Sequence, residues 1–278
     1  FESLPYNETI DSSNLTGKVG FDWKAADEVL VYANISTGYK SGGFGAPAAA
    51  SWDSLASYKE EEVTSYELGI KSTLADGAVT LNGAIYSYDY TDKQVSAFVS
   101  DPVFGSLTKI VNAPKSTVNG AELEVNWYAT DATVVRVTTS FLDTEYNEFE
   151  SLMFGGSEPV DLSGQRLQNT PEFQSNVLVH HEIELSEKYY AYVGGDWAYS
   201  SKYNSLVGEN PLFDVDSFSV VSLRAGVADI NDKWRVTAWV RNALDEEYRL
   251  EARGDGLFGV RERYALGRTA GVKLTFNW

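Results

Sequence analysis

Apolar and polar residues alternate with a period of two along almost the whole of this 278-residue chain. From Leu15 the odd positions read Leu15, Gly17, Val19, Phe21 and Trp23, and the even ones Thr16, Lys18, Gly20 and Asp22. Successive side chains of a strand point to opposite faces, so this pattern makes a strand with one apolar and one polar side. The reading repeats at Val29–Ile35, Tyr66–Leu74, Val79–Ile85, Ala121–Trp127, Val135–Phe141 and Val177–Leu185. It returns at Tyr189–Tyr199, Val221–Val227, Trp234–Val240 and Ala270–Trp278. No apolar run approaches the ~20 residues that a membrane-spanning helix needs. The fold class expected is therefore all-β, an antiparallel meander of about eleven strands.

The connections carry more information than the strands. Five are tight: Lys24–Asp27, Ala75–Gly77, Thr130–Asp131, Ser186–Lys188 and Asp229–Lys233. Between them lie Tyr39–Lys59, Val99–Leu107, Asn147–Thr170, Asn204–Ser217 and Glu247–Arg261, which are mostly long. Short and long connections alternate without exception. An outer-membrane barrel has this asymmetry, with short periplasmic turns and long external loops. A soluble sandwich shares the alternation within strands, hiding its apolar side between two sheets.

The aromatic positions separate these two readings. Trp23, Trp127, Trp234 and Trp278 fall on the apolar parity, each within a few residues of a tight turn or the C-terminus. Indole at the end of a lipid-facing strand forms an interfacial belt, with the ring buried and its N–H wet. The opposite parity carries Glu122, Glu124, Arg136, Arg224, Arg235, Arg241 and Lys273. In a barrel these charges line a wet lumen and the apolar side meets lipid. The strands are then transmembrane.

Three segments resemble the C-terminal half of the β-barrel of TonB-dependent outer-membrane receptors. The first is Leu15–Trp23 followed by Val31–Phe44, a two-strand unit ending in Gly38-Tyr-Lys-Ser-Gly-Gly-Phe44. The second is Val240–Tyr248, similar to the family's penultimate-strand pattern but with Ala243 and Leu244 in place of the usual Leu and Phe. The third is Gly267–Trp278, a closing strand that ends on an aromatic. Tyr66–Lys71 and Gly120–Glu124 also look familial. The resemblance implies that residues 1–278 are part of a 22-stranded barrel, with the plug domain and first barrel half absent. The sequence opens with neither an initiator Met nor a basic-then-apolar leader, as expected of a mature or truncated product.

The resemblance implies a receptor that captures a scarce solute outside and passes it inward, a ferric siderophore being the commonest cargo. Cobalamin and oligosaccharide receptors, and a passive porin or structural barrel, are the alternatives. The implied location is the cell outer membrane of a Gram-negative bacterium. The implied partners are the TonB energy-coupling complex, outer-membrane lipid and the barrel-assembly machinery. The lumen charges would then face the plug. Gly271, Phe276 and Trp278 of the last strand resemble the signal by which such barrels are recognised for insertion.

Other chemistries are poorly supplied. Forty acidic against 22 basic residues, a net charge of −18, argue against a nucleic-acid partner. There is no cysteine, and the two histidines, His180 and His181, are adjacent on a strand with opposite parities. His180 is expected in the lumen near Glu182, and His181 at lipid or interface. No catalytic residue, metal site or cofactor is expected. The external loops hold the recognition candidates. Tyr39, Phe44 and Trp52, with Gly42 and Gly43 for flexibility, suit stacking on a planar ligand. Arg253, Arg261 and Arg263 suit an anionic chelate, since guanidinium pairs bidentately with carboxylate. The competing reading pairs these arginines with Glu251, Glu262 and other acids of the same loop. Glu148, Glu150, Glu158 and Asp161 lack the ordered spacing of a calcium loop.

Overall fold

The computed structural model describes residues 9–45, 57–101, 105–255 and 259–278. The strands are β1 (Lys18–Ala26), β2 (Val29–Lys40), β3 (Gly43–Phe44), β4 (Ser57–Tyr58), β5 (Glu61–Leu74), β6 (Val79–Asp101) and β7 (Gly105–Thr130). They continue as β8 (Thr133–Glu148), β9 (Glu150–Leu152), β10 (Pro159–Asp161), β11 (Phe173–Ser186), β12 (Tyr189–Ser200), β13 (Tyr203–Asn204) and β14 (Asp214–Val215). The last five are β15 (Phe218–Asp229), β16 (Trp234–Arg241), β17 (Arg249–Asp255), β18 (Gly259–Tyr264) and β19 (Thr269–Phe276).

Eleven of these form one meander in the order β1-β2-β5-β6-β7-β8-β11-β12-β15-β16-β19. Every neighbouring pair is antiparallel. These are the eleven segments that alternation picks out. The tight turns stand at one end. At the β5–β6 turn Ala75 and Asp76 take φ of 53° and 54° and Gly77 91°. Left-handed turn residues match the right-handed strand twist, which is why so few residues suffice.

One connection differs from its expectation. Val99–Leu107 is not a long loop: β6 runs 23 residues and β7 26, and they pair as far as Asp101 with Gly105. A tilted strand crosses a bilayer in ~9–11 residues, so this hairpin projects well beyond one. Its outer half is hard to see in the sequence because the alternation breaks. Asp92 takes φ of 50°, and on the far side of β7 the β7–β8 register shifts between Lys115 and Ser116. Beyond it Val95, Ala97 and Ala113 pack into the cap core, so side chains there no longer follow the lipid–lumen alternation.

The sheet curves toward its polar face. On that side Ala84, Tyr192, Ser200 and Ala228 are buried, whereas Phe21 (68% exposed), Ile85 (57%) and Val272 (69%) stand bare on the other. No second sheet covers these apolar residues among the described elements, which removes the sandwich reading. Four aromatics on the inward face lie directly opposite glycines of the next strand: Tyr32–Gly69, Tyr86–Gly120, Tyr192–Gly226 and Trp239–Gly271. A Cβ at any of these glycines would collide with the facing ring. The glycines let the rings lie flat on the wall.

The buried apolar core sits at the end opposite the tight turns. One cluster joins Val95, Ala97, Ala113, Tyr146, Phe149, Leu162, Leu167 and Val207. A second joins Phe98, Leu152, Leu206, Phe213 and Ala252. The outer β6–β7 hairpin and three long connections thus pack into a cap.

Candidate functional site: the inward wall and its cap

Charges of both signs line the inward wall, including Glu182 and Glu184 of β11 and Asp196 of β12. Glu67 of β5 lies opposite Tyr86, Glu122 of β7 opposite Ala84, and Glu124 opposite Asn82. With Tyr32, Lys71 and Thr138, Glu122 and Glu124 border a hollow of about 360 Å³. Lys71 Nζ stands 5.6 Å from the Tyr32 ring centroid. At the other end of the sheet, β15, β16 and β19 direct Arg224, Arg235, Arg241 and Lys273 inward. Arg224 Nη1 lies 3.4 Å from Asp196 Oδ1, and Arg235 Nη2 2.9 Å from Asp232 Oδ1 and from the Tyr190 hydroxyl. The Arg241 guanidinium lies 5.2 Å from the Trp239 ring.

Aromatics form two columns on this wall. Tyr86 stacks on Tyr88 at 4.8 Å, Tyr88 meets Tyr90 edge-on at 6.5 Å, and Lys93 Nζ stands 3.7 Å over the Tyr90 ring. The second column holds His180, Tyr190 and Tyr192, with Arg235 5.5 Å from the Tyr192 ring. Cations over ring faces are attracted by the ring quadrupole. Sequence reasoning did not single out these tyrosines. The signal was available, since Tyr86, Tyr88 and Tyr90 recur at i, i+2 and i+4 on the polar parity.

The cap is tied to the wall by polar contacts. Glu61 accepts the Gln94 backbone N–H at 2.7 Å and lies 3.9 Å from Lys93 Nζ. Burial pushes the Lys93 ammonium below its usual range; Glu61 opposes this and Lys40 adds to it. Gln94 Nε2 donates to the Ser41 and Lys59 carbonyls at 2.9 and 3.1 Å, and Asn112 Nδ2 to those of Lys59 and Asp92 at 3.0 and 2.7 Å. The β17–β18 hairpin is clipped down by Ser205, whose Oγ accepts the Ala252 N–H at 3.1 Å. Arg249 Nη1 donates to the Leu212 and Asp214 carbonyls at 3.2 and 2.9 Å.

The predicted recognition residues are not brought together into one pocket. Tyr39 stands near the outer end of β2 opposite Glu62, on the apolar parity. Phe44 is half-buried in β3, opposite Ser57. Trp52 lies outside the described residues. Arg253, Arg261 and Arg263 all stand on the β17–β18 hairpin. Arg253 Nε lies 2.5 Å and Arg263 Nη2 3.6 Å from the Glu251 carboxylate, while Arg249 Nη2 meets Glu262 at 2.6 Å. Pairing within the loop therefore occupies part of this cluster.

The remaining candidates fall where parity puts them. Trp23, Trp127 and Trp234 stand on the apolar face at the tight-turn end, opposite Val31, Val79 and Phe276. Trp278 is fully exposed beyond β19. Arg136 is inward, opposite Asn126, and Gly271 inward beneath Trp239. His180 Nε2 lies 3.4 Å from Glu182, and His181 Nδ1 2.8 Å from Thr133 Oγ1. Among the described residues no three His, Asp or Glu side chains gather as a metal site would require.

This geometry meets known proteins at one point. A family model described as "TonB dependent receptor-like, beta-barrel" matches residues 2–243. The chain is 23% identical over 261 residues to the probable TonB-dependent siderophore receptor PiuA of Acinetobacter baumannii, covering 90% of this chain and 34% of that one. The solved structure of the siderophore receptor PiuA from Acinetobacter baumannii superposes with a TM-score of 0.68 at 21% identity, over 92% of this chain and 35% of that one. The ferric yersiniabactin uptake receptor FyuA of Yersinia pestis superposes with a TM-score of 0.74 at 18% identity, over 93% and 36%. The chain thus spans about a third of the length of these relatives.

Proposed function

This chain belongs to the TonB-dependent receptor β-barrel family, and from that membership we propose that it forms the C-terminal part of the barrel of a receptor importing a scarce solute, foremost a ferric siderophore. It is a protein of the outer membrane of a Gram-negative bacterium. The observation that carries the proposal is the eleven-strand meander, apolar outside and charged inside, whose long connections gather at one end. A curved sheet of this kind needs lipid on one side and a filled or wet lumen on the other. The siderophore reading is supported by the likeness to PiuA, described as a probable TonB-dependent siderophore receptor, and to FyuA, described as a ferric yersiniabactin uptake receptor.

In this reading the inward charges of β7, β8, β15, β16 and β19 face a plug supplied by the rest of the receptor. The cap offers Tyr39, Phe44, Trp52, Arg253, Arg261 and Arg263 to the ligand from outside. Trp23, Trp127, Trp234 and Trp278 seat the barrel at the periplasmic interface. Gly271, Phe276 and Trp278 mark the last strand for the assembly machinery, and energy comes from the TonB complex. The test uses the full-length gene. Its deletion is expected to abolish growth on one ferric siderophore as sole iron source, and the restored gene to rescue it only when TonB is present. Equal growth of the deletion strain on every iron source, or rescue without TonB, would point to a passive pore.

A further inference from the structure

One short stretch of chain touches every part of the cap. It includes Met153, which carries the one sulfur atom of residues 1–278, since they hold a single methionine and no cysteine. Met153 follows β9, half-buried, and packs against the cluster of Val95, Ala97, Phe149 and Val207. Its thioether lies on the backbone of Gly208, so that a Cβ there would run into Sδ and Cε. Gly208 also takes φ of 96°, so two constraints keep side chains away from this seat. The neighbouring Phe154 fills the same role at Gly254 of β17. Its ring lies 5.6 Å from Phe98 and 5.2 Å from Phe213. Met153 and Phe154 thus join their own connection to the β6–β7 hairpin, the 204–217 connection and the β17–β18 hairpin.

We infer that Met153 is an oxidation site through which the cap responds to hydroperoxides outside the cell. The outward position of the cap rests on the receptor reading; the rest goes beyond it. With hydrogen peroxide, the O–O bond breaks, an S–O bond forms at Sδ and the peroxide leaves as water. The thioether is thereby oxidised by two electrons to a sulfoxide. A flexible apolar side chain that fills an irregular gap becomes a polar, bulkier one. The sulfur already touches the Gly208 backbone, so an oxygen added on that side has no room. The side chains of the cluster are apolar apart from the Tyr146 phenol. An oxygen buried among them without a hydrogen bond is costly, and lifting the 204–217 connection off Met153 lets water reach it. The same residue therefore closes the cap when reduced and releases it when oxidised. A leucine would close it without the chemistry.

The test uses the full-length receptor in isolated outer membranes. Hydrogen peroxide is added until part of the population is oxidised at Met153, and a brief protease pulse follows. Cleavage within 201–217 should be about tenfold faster in the oxidised molecules, because their cap holds an unpaired polar group. Mass spectrometry should then find Met153 sulfoxide concentrated in the cleaved receptor and depleted from the intact one. Equal sulfoxide in both would mean that the cap houses the new oxygen, for instance on the Tyr146 hydroxyl, and would overturn the inference. So would a Met153 that stays reduced in the folded receptor while the unfolded one reacts. Methionine sulfoxide reductases for both epimers should restore protection. Permanent loosening would mark damage rather than a switch and would also overturn it. M153L separates this sulfur from any elsewhere in the receptor. Peroxide should no longer speed cleavage there, and undiminished speeding would place the sensitive group at another residue. If M153L does not assemble, the comparison of cleaved and intact unmodified receptor still decides. A receptor whose cap opens on oxidation yet imports no siderophore would defeat the proposed cargo and leave this inference standing.

Discussion

At the scale of single residues, the inward wall depends on glycines that hold aromatic rings flat. Gly120 faces Tyr86, and a Cβ there would run into the ring. Gly120→Ala in the full-length receptor should therefore cost about 1–3 kcal/mol through overpacking. Gly83 is the control, because its nearest neighbours would lie 3.6 Å or more from a new Cβ. Urea midpoints of the folded barrel, read from heat-modifiable migration, should fall for Gly120→Ala and hold for Gly83→Ala. Equal midpoints would remove the packing role. Tyr146 supplies the pH dependence. Its phenol lies fully buried in the cap, and burial pushes it up to about 12. An unfolded tyrosine ionises near pH ~10, so this contribution is intact below that and is lost as pH rises through about 12. The tyrosinate absorbance of the receptor minus that of Tyr146→Phe should rise near pH 12, and a midpoint near 10 would contradict the burial. The sequence shows such residues only in part. Parity places Tyr86 and Gly120 on one face, but only the register shows that they are opposite. The pairing of Arg253 and Arg263 with Glu251 was readable as loop-internal charge balance, and so competed from the start with a ligand role.

At the scale of elements, the sheet and the cap obey different forces. The eleven strands are legible because lipid and lumen impose a strict two-residue period on each. The outer halves of β6 and β7 are not, because the segment beyond Asp92 packs into a cap core rather than between lipid and lumen. The cap's small elements, β9, β10, β13, β14 and the 3₁₀ turn Pro211–Phe213, are two or three residues each. Such pieces carry no period and are set by long-range contacts alone. Phe213 is fully buried where β6, β9 and β17 meet, within 5.2 Å of the Phe154 ring. Phe213→Ala should cost about 3–5 kcal/mol, as large core truncations do. The cost should fall on the cap rather than the barrel. Limited proteolysis should show cleavage within 201–217 and within 249–264 rising together while the strands stay protected. Cleavage of only one segment would mean that the connections do not act as a unit.

At the scale of the whole molecule, the central claim is that one face of this sheet meets lipid and the other an aqueous, charge-lined lumen. The exposed apolar residues lie on the convex side, from Val19 and Phe21 to Val272 and Leu274. Parity already separates lipid from lumen in the sequence. Residues 1–278 contain no cysteine, so a thiol introduced among them has no competitor within this span. Single cysteines are introduced in the full-length receptor at 121 through 127 along β7, labelled with an environment-sensitive fluorophore and reconstituted in lipid. Ala121, Leu123, Val125 and Trp127 should be quenched by a lipid-borne quencher, and Glu122, Glu124 and Asn126 only by a water-soluble one. That period-two alternation is the expected result. Uniform aqueous quenching along the segment, or protection of the odd positions from both quenchers, would contradict a lipid-facing strand.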